Sequence, residues 1–350
     1  MRVVGFIAIV GLCGCGGDDS KDRTAVLTDS GATLVVPTTT PTTTSTPTTS
    51  TTSTTSTTAL GYEPDWSLGR LSGSVKHSCM LDEGGSISCW GTSDVGEASP
   101  PGGMQLIDIS TNVTVGCGVR YADSVISCWG DDTYGHASPP KLTYWKQVSV
   151  GKRHTCAIDL EDRIDCWGSN GLFDLLAAPE GEYTAVSVGD DYACAVKDDG
   201  RIPCWGDDAG GRASSQDGRT FVQVSANYYH TCAIGLSEGP ASSETGDTGM
   251  EEAPVMGAVL CWGDDTYGRA TPPPGEDFVQ VAAGGMHSCA LKADGSVMCW
   301  GSNIYKELEV PKKAVFQQIM AGYNHTCGLT EDHDVTCWGS DFYGQSTPLP

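Results

Sequence analysis

Short segments with alternating apolar and polar residues recur along most of this chain. Five of them read "YWKQVSVG", "YTAVSVG", "FVQVSA", "FVQVAAG" and "VFQQIMAG", with β-branched or aromatic residues at many of the apolar positions. Alternation with a period of two is typical of a strand that buries one face. A second apolar run containing Cys follows each segment, and after a turn a third run ends in Cys-Trp-Gly. The pattern predicts a unit of closely spaced strands that repeats.

The cysteines allow the units to be counted. First cysteines are 38 or 39 residues apart, except for one spacing of 57, whose extra 19 residues lie between the two cysteines of the fifth unit. There are seven units, with first and second cysteines in the pairs Cys79 and Cys89, Cys117 and Cys128, Cys156 and Cys166, Cys194 and Cys204, Cys232 and Cys261, Cys289 and Cys299, and Cys327 and Cys337. Regular repetition of this kind indicates a repeat architecture.

A polar stretch such as "DDTYGHASPP" closes each unit, and we expect it to contain a short outer strand. Four short strands in about 38 residues correspond to the blade of a β-propeller. The sequence therefore predicts an all-β, seven-bladed β-propeller over residues 66–350, with an insertion at 237–257 in blade five.

The combined elements resemble the regulator-of-chromosome-condensation repeat family, which includes bacterial secreted propellers. The shared elements are His-[Ser/Thr]-Cys-Ala-Leu, Asp-Gly-x-Val-x-Cys-Trp-Gly and Tyr-Gly followed by Gln, Arg or His. The resemblance covers residues 66–350 and implies the propeller fold. Three units depart from it: Val115 and Tyr192 replace the His, and "GLFDLLAAP" stands where Tyr-Gly is expected. These departures weaken individual blades as ligand sites but leave the fold prediction intact.

The N-terminal residues predict export. MRVVGFIAIVGLCGC carries one Arg before an apolar run that is too short to remain in a bilayer as a spanning helix. Its Leu-Cys-Gly-Cys ending resembles a bacterial lipobox, which implies a signal peptide at 1–14 and a lipid on Cys15. Because Gly16 follows that cysteine instead of Asp, we expect an outer-membrane lipoprotein.

Between this anchor and the propeller, two further segments are predicted. Residues 15–36 form the mature N-terminal segment, and residues 37–58 contain only Thr, Ser and Pro. A segment of that composition buries no apolar area to offset its ordering entropy, so it predicts a solvated stalk. The formal net charge of −24 argues against nucleic acid or anionic lipid as a partner, because both require a basic surface.

The paired cysteines predict one disulfide in each blade. Placing Cys289 opposite Cys299 leaves Ala293-Asp294-Gly295 as a hairpin loop whose last residue suits a left-handed conformation. Opposed strand residues are close enough for a disulfide once the strands twist, and an exported domain meets oxidising conditions. Zinc is the alternative, since each His lies two residues from a Cys. No fourth ligand recurs, however, and two units lack the His, so we predict no metal.

Acidic residues mark two candidate binding sites. If the loops after Cys-Trp-Gly share one face, a ring of carboxylates could attract a basic protein surface or cations. The alternative is that these residues cap their own turns. The insertion supplies the second site because one blade alone carries it. The candidate residues are Asp94, Asp131, Asp132, Asp207, Asp208, Asp264, Asp265 and Asp341 in the loops, and Glu244, Asp247, Glu251 and Glu252 in the insertion.

No catalytic residue or cofactor is predicted. The sequence contains no Gly-rich phosphate loop, HExxH motif or nucleophile elbow. We expect the recurring His to be core or inter-blade hydrogen-bonding residues, and the Trp after each second Cys to pack between blades. The favoured function is a monomeric, non-catalytic protein-interaction scaffold attached to the membrane by its lipid. The alternative is an enzyme or binding protein for envelope glycans.

Overall fold

The computed structural model describes residues 70–141, 143–216, 218–236 and 255–349. The predicted signal peptide, Cys15, the segment 15–36, the stalk at 37–58 and most of the insertion lie outside these residues. The described residues form seven antiparallel sheets, each built from three consecutive strands. Two three-residue 3₁₀ helices, Ala209–Gly211 and Thr266–Gly268, complete the regular structure of this part of the chain.

Each sheet is one blade, and the first strand of every blade lines a central channel of about 230 Å³. The inner strands are β1 Arg70–Gly73, β4 Leu106–Asn112, β7 Trp145–Val150, β10 Tyr183–Val188, β13 Phe221–Ala226, β16 Phe278–Ala283 and β19 Phe316–Ala321. The middle strands are β2 His77–Leu81, β5 Val115–Arg120, β8 His154–Asp159, β11 Tyr192–Lys197, β14 His230–Gly235, β17 His287–Lys292 and β20 His325–Thr330. The third strands are β3 Ile87–Gly91, β6 Ile126–Gly130, β9 Ile164–Gly168, β12 Cys204–Gly206, β15 Ala258–Gly263, β18 Val297–Gly301 and β21 Val335–Gly339. The predicted seven-bladed propeller is therefore confirmed.

The hydrophobic core lies between neighbouring blades. Cys289 and Leu291 of blade six pack with Phe316, Ile319 and Trp338 of blade seven. Both faces of a blade are thus covered by its neighbours, so the middle strands are buried along nearly their whole length. A single blade would expose this apolar surface, and stacking seven of them around the channel buries it.

The hairpin register predicted from the cysteines is also confirmed. Cys289 lies directly opposite Cys299, and the loop between the strands ends at Gly295 with a φ of 78°. Asp162 and His333 adopt the same left-handed conformation in blades three and seven. Each blade holds one disulfide, with Cα–Cα distances of 4.0–4.1 Å: Cys79–Cys89, Cys117–Cys128, Cys156–Cys166, Cys194–Cys204, Cys232–Cys261, Cys289–Cys299 and Cys327–Cys337.

The prediction of a short outer strand in each blade is wrong, because every sheet has three strands. Among the described residues only blade four pairs its third strand further outward, through two backbone hydrogen bonds of 2.9 and 3.1 Å between Ile202 and Gln216. Five other blades have proline at the position of Gln216, and blade seven has Leu349 preceded by Pro348. Proline has no N–H to donate, so the segments of these five blades cannot make the bond that the Gln216 N–H makes in blade four. The equivalent prolines are Pro101, Pro140, Pro179, Pro273 and Pro311.

Side chains of the inner strands join one blade to the next and close the ring. The Gln280 amide of blade six accepts the Ile319 N–H at 2.8 Å and donates to the Ile319 carbonyl at 2.9 Å. Gln318 of blade seven accepts the Leu71 N–H of blade one at 3.0 Å. Blades seven and one therefore meet through the same kind of glutamine-to-backbone contact that joins blades six and seven. Neither blade contributes a strand to the sheet of the other.

Candidate functional site

Seven loops share one end of the ring, which we call the upper face. The first residue of each loop donates its backbone N–H to a carbonyl in the turn between the inner and middle strands; for example, Ser302 N–H bonds to the Met286 carbonyl at 3.0 Å. The same bond occurs in all seven blades, so the loops lie side by side around the channel. These face loops are residues 92–96, 131–135, 169–174, 207–211, 264–268, 302–306 and 340–344.

The aspartates of the face loops hold their own loops in shape. Asp264 accepts the Thr266 N–H at 2.7 Å and hydroxyl at 2.6 Å, and the hydroxyl bond lowers the pKa of Asp264. Asp265 accepts the Ala270 N–H at 2.7 Å and the Thr271 hydroxyl at 2.8 Å. A carboxylate bonded in this way is the expected cap of a tight turn.

The other predicted aspartates of the ring are engaged in similar contacts. Asp94 pairs with the Lys76 ammonium at 2.5 Å, and Asp207 pairs with Arg212 at 2.5 Å. The partners of the rest are Thr133 for Asp131, Ala137 and Ser138 for Asp132, Ala213 and Ser214 for Asp208, and Ser346 and Thr347 for Asp341. The eight carboxylates thus lie on one face. Seven of them accept backbone N–H groups of their own loops as turn caps, Asp207 through the Ala209 N–H at 3.0 Å, and Asp94 makes the ion pair with Lys76. A binding role for them stays a prediction.

A carbonyl below each loop connects the loop to the following blade. The Arg269 carbonyl accepts the Trp300 indole N–H at 2.9 Å and the Ser288 hydroxyl at 3.1 Å. Five further tryptophans donate to the equivalent carbonyl of the preceding blade, whereas the indole nitrogen of Trp262 is buried without a partner. The predicted packing of these tryptophans between blades therefore includes a directional hydrogen bond.

The buried histidines belong to the same inter-blade seam. The His230 ring lies 2.6 Å from the Ser288 hydroxyl of the next blade. Because that hydroxyl donates its proton to the Arg269 carbonyl, Nε2 of His230 must carry the ring proton. Burial and the nearby Arg269 charge lower the pKa of His230 to about 3. The ring is therefore neutral and structural, as the sequence indicated.

The departures from the repeat explain which seams lack this bond. His154 faces blade four, where Ala193 replaces the usual Ser or Thr, and both of its ring nitrogens are buried without partners. Blade four itself uses Tyr192, whose hydroxyl bonds to the Thr231 hydroxyl at 2.9 Å and the His230 carbonyl at 2.8 Å. Tyrosine thus reaches the same partner as histidine from the same position.

Exposed apolar side chains on the face loops are the functional candidates that the sequence reasoning missed. The Tyr-Gly element was recognised as a motif, but its tyrosine could equally have been buried. Leu172 is 94% exposed and Phe342 is 77% exposed, and the ring of Tyr305 packs edge-on against Phe342 with centroids 5.6 Å apart. The exposed set is Val95, Tyr134, Leu172, Phe173, Tyr267, Ile304, Tyr305, Phe342 and Tyr343.

Two tyrosines lie at the upper end of the central channel. Tyr228 of blade five and Tyr323 of blade seven line the channel and pack edge-on, with ring centroids 4.8 Å apart. Gly285 of blade six makes this possible, because a Cβ there would lie 2.4 Å from the Tyr323 ring. Burial, reinforced by the Asp190 charge, raises the pKa of Tyr228, so its phenol stays neutral.

The second predicted site is attached to the opposite end of the ring. The middle and third strands of blade five run from the upper face, where His230 pairs with Gly263, to Gly235 and Ala258 at the other end. The insertion joins the strands at that end. Its candidate residues Glu244, Asp247, Glu251 and Glu252 lie outside the described residues.

Three findings on the described ranges concern metal ligands and membrane-spanning helices. The fourteen repeat cysteines are joined in disulfides and offer no thiolate to zinc. In the same ranges no group of three or more His, Cys, Asp or Glu is arranged to hold a metal ion. None of the helices there has the length and apolarity needed to cross a bilayer.

Comparison with known proteins supports the repeat assignment. The family model "Regulator of chromosome condensation (RCC1) repeat" matches residues 145–172, 183–212, 278–306 and 316–345, so the chain contains RCC1-like repeats. Among curated proteins no sequence matches.

Solved structures show the same fold. The entire ectodomain of the Physcomitrella patens receptor kinase CR4 matches with a TM-score of 0.62 and 23% identity, covering 78% of this chain and 75% of that one. The CRINKLY WD40 ectodomain of the Arabidopsis thaliana receptor kinase ACR4 gives 0.61 and 24%, covering 79% and 99%. Human WBSCR16 gives 0.55 and 14%, covering 79% and 90%. At these identities the likeness concerns the fold.

Proposed function

We propose that this protein is a membrane-anchored lipoprotein of the cell envelope whose propeller is a non-catalytic scaffold that binds a partner protein. The binding surface is the upper face. One observation carries the proposal: apolar side chains are exposed at matching positions of the face loops in six of the seven blades. Blade four has Ala209 and Gly210 at these positions.

Polar side chains, and not the exposed apolar ones, make the hydrogen bonds that shape the loops. Loop shape comes from the aspartate caps and from the side chain after each loop, such as Glu307, which is fully buried and accepts the Tyr305 N–H at 2.7 Å. Exposed apolar area is unfavourable in water by about 25 cal/mol per Å², and a partner that covers it recovers that free energy. Contiguous exposed patches of this kind mark interaction surfaces.

The exposed apolar side chains of blades six and seven form one continuous patch. Ile304 and Tyr305 of blade six adjoin Phe342 and Tyr343 of blade seven, and we call these four residues the aromatic patch. The carboxylates of the surrounding loops give the face a negative potential, which favours a partner with basic residues around an apolar centre.

The envelope location rests on separate features. Seven disulfides are typical of an oxidising compartment outside the cytosol. The lipobox-like residues ending at Cys15 supply the anchor in this proposal, and the Thr-rich segment at 37–58 supplies the stalk.

Cross-linked capture from intact cells tests the function. The full chain, a Tyr305→Ser/Phe342→Ser double variant and a Val315→Ser control, at an exposed residue before β19 at the other end, are compared by mass spectrometry. We expect one protein whose recovery falls by about tenfold or more in the double variant and is unchanged in the control. Equal recovery with all three chains would contradict binding through this face, and recovery of envelope glycan fragments instead would support the enzyme or glycan-binding alternative.

A further inference from the structure

The third strand of blade six, β18, is a sheet edge with unpaired backbone groups. Its partner β17 covers one side, and within the described residues no hydrogen bond joins Val297 or Cys299 to a segment on the other side. Met298, between them, is 38% exposed. Such an edge presents N–H and C=O groups in the spacing that an additional strand requires.

Blade four shows what occupies this position when the sequence allows it. There the Gln216 backbone forms two hydrogen bonds with Ile202, the counterpart of Val297, and the Ser215 hydroxyl accepts the Cys204 N–H at 3.0 Å. The outward groups of the third strand are therefore oriented to bind a strand. In blade six the residue equivalent to Gln216 is Pro311, which cannot donate, and the edge stays open.

A groove lies where the missing strand would run. It has a volume of about 660 Å³ between β18 and the segment that leaves the face loop of blade six. Leu308 and Val310 form an apolar wall, and Glu309 and Lys312 lie beside it with opposite charges. The groove thus combines a row of backbone groups with an apolar side, which are the two features that recognise an extended peptide.

We propose that this groove binds an extended, proline-free segment of a partner protein, which adds to β18 as a fourth strand. Backbone hydrogen bonds to Val297 and Cys299 hold the segment, and its alternate apolar side chains contact Leu308 and Val310. A second copy of this chain is disfavoured as the occupant because both copies carry a net charge of −24. The site is on the rim of the ring and is independent of the upper-face loops, so either proposal can fail alone.

The test uses the full chain and a synthetic heptapeptide, acetyl-Lys-Thr-Val-Thr-Val-Thr-Lys-amide. Its control is the same peptide with alternate backbone nitrogens methylated, which keeps the charge and side chains but removes the strand hydrogen bonds. Nuclear magnetic resonance follows the hydrogen exchange of the Val297 and Cys299 amides. Pro311→Gln supplies the missing N–H and lets the chain cover its own edge, and Pro273→Gln makes the matched change in blade five.

We expect the unmodified peptide to slow exchange of both amides by about tenfold or more, and the methylated peptide to leave it unchanged. In the Pro311→Gln chain these amides should already exchange slowly without peptide, and adding the peptide should not slow them further. The Pro273→Gln chain should bind the peptide as the wild type does. Equal effects of the two peptides, or unchanged binding by the Pro311→Gln chain, would overturn the proposal. Protection in the free protein that rises with its own concentration would also overturn it, because a second copy would then occupy the edge.

Discussion

Replacing His287 by tyrosine tests whether burial holds the seam histidines neutral. Burial lowers the pKa of His287 to about 4, whereas the unfolded chain has about 6.5. As the pH falls below 6.5 the unfolded chain takes up a proton that the folded chain does not, so the free energy of unfolding decreases. Because of this one group, the free energy of unfolding is about 2 kcal/mol lower at pH 5 than at pH 7.5, and the decrease levels off below about pH 4.

Tyrosine is the suitable replacement because blade four already uses it. Tyr192 occupies the histidine position there, and its hydroxyl bonds to the Thr231 hydroxyl at 2.9 Å. In blade six His287 bonds to the Thr326 hydroxyl at 2.7 Å, which a tyrosine can also reach. Gly284 leaves the ring the space that Gly189 leaves for Tyr192. The variant therefore keeps the hydrogen bond and removes the group that titrates between pH 4 and 6.5.

Urea unfolding of both chains at pH 7.5 and at pH 5 gives the comparison. We expect the wild type to lose about 2 kcal/mol more than the His287→Tyr chain between these values. The other four buried seam histidines serve as an internal control, since they lower the stability of both chains equally. If the two chains lose the same amount, burial does not hold this imidazole neutral and the description of the seam is wrong.

Three further substitutions have matched controls within the chain. Trp300→Phe removes an indole hydrogen bond and should cost about 1 kcal/mol in urea unfolding, whereas Trp262→Phe removes a buried N–H that has no acceptor and should lose less. Replacing both Cys232 and Cys261 by alanine removes a disulfide whose cysteines are 29 residues apart in the sequence, whereas those of blade six are 10 apart. Because a disulfide that closes a longer loop restricts the unfolded chain more, the blade-five change should lower the free energy of unfolding by about 1 kcal/mol more than the same change in blade six. Asp265→Asn should retain the melting temperature within about 2 °C, because asparagine already caps the equivalent loops of blades three and six; a larger drop would show that the charge itself holds the loop.

The cysteine pairing could be predicted because register and turn chemistry agree. With Cys289 opposite Cys299, Gly295 falls at the loop position that needs a positive φ, and the structure has it there. The missing outer strand was also visible in the sequence, since Pro311 and its equivalents cannot donate a ladder hydrogen bond. The prediction failed because it followed the usual size of a blade rather than the chemistry of these residues.

The candidate site was only partly predictable. That the loop aspartates share a face followed from the repeat, but their partners depend on how each loop folds back: Asp265 bonds to an amide five residues ahead. The exposure of Phe342 could not be read from the sequence, because an aromatic residue in a repeat is as compatible with a core position as with a surface one. In this blade the residue that is buried is Gln345, directly after the loop, and it accepts the Tyr343 N–H at 2.8 Å.

Peptide mapping under non-reducing conditions is the measurement that tests the repeat architecture. The seven-blade account predicts that each first cysteine is linked to the second cysteine of its own blade, including the Cys232–Cys261 link across the insertion. Free thiols among these fourteen cysteines, or a link between two blades, would contradict it.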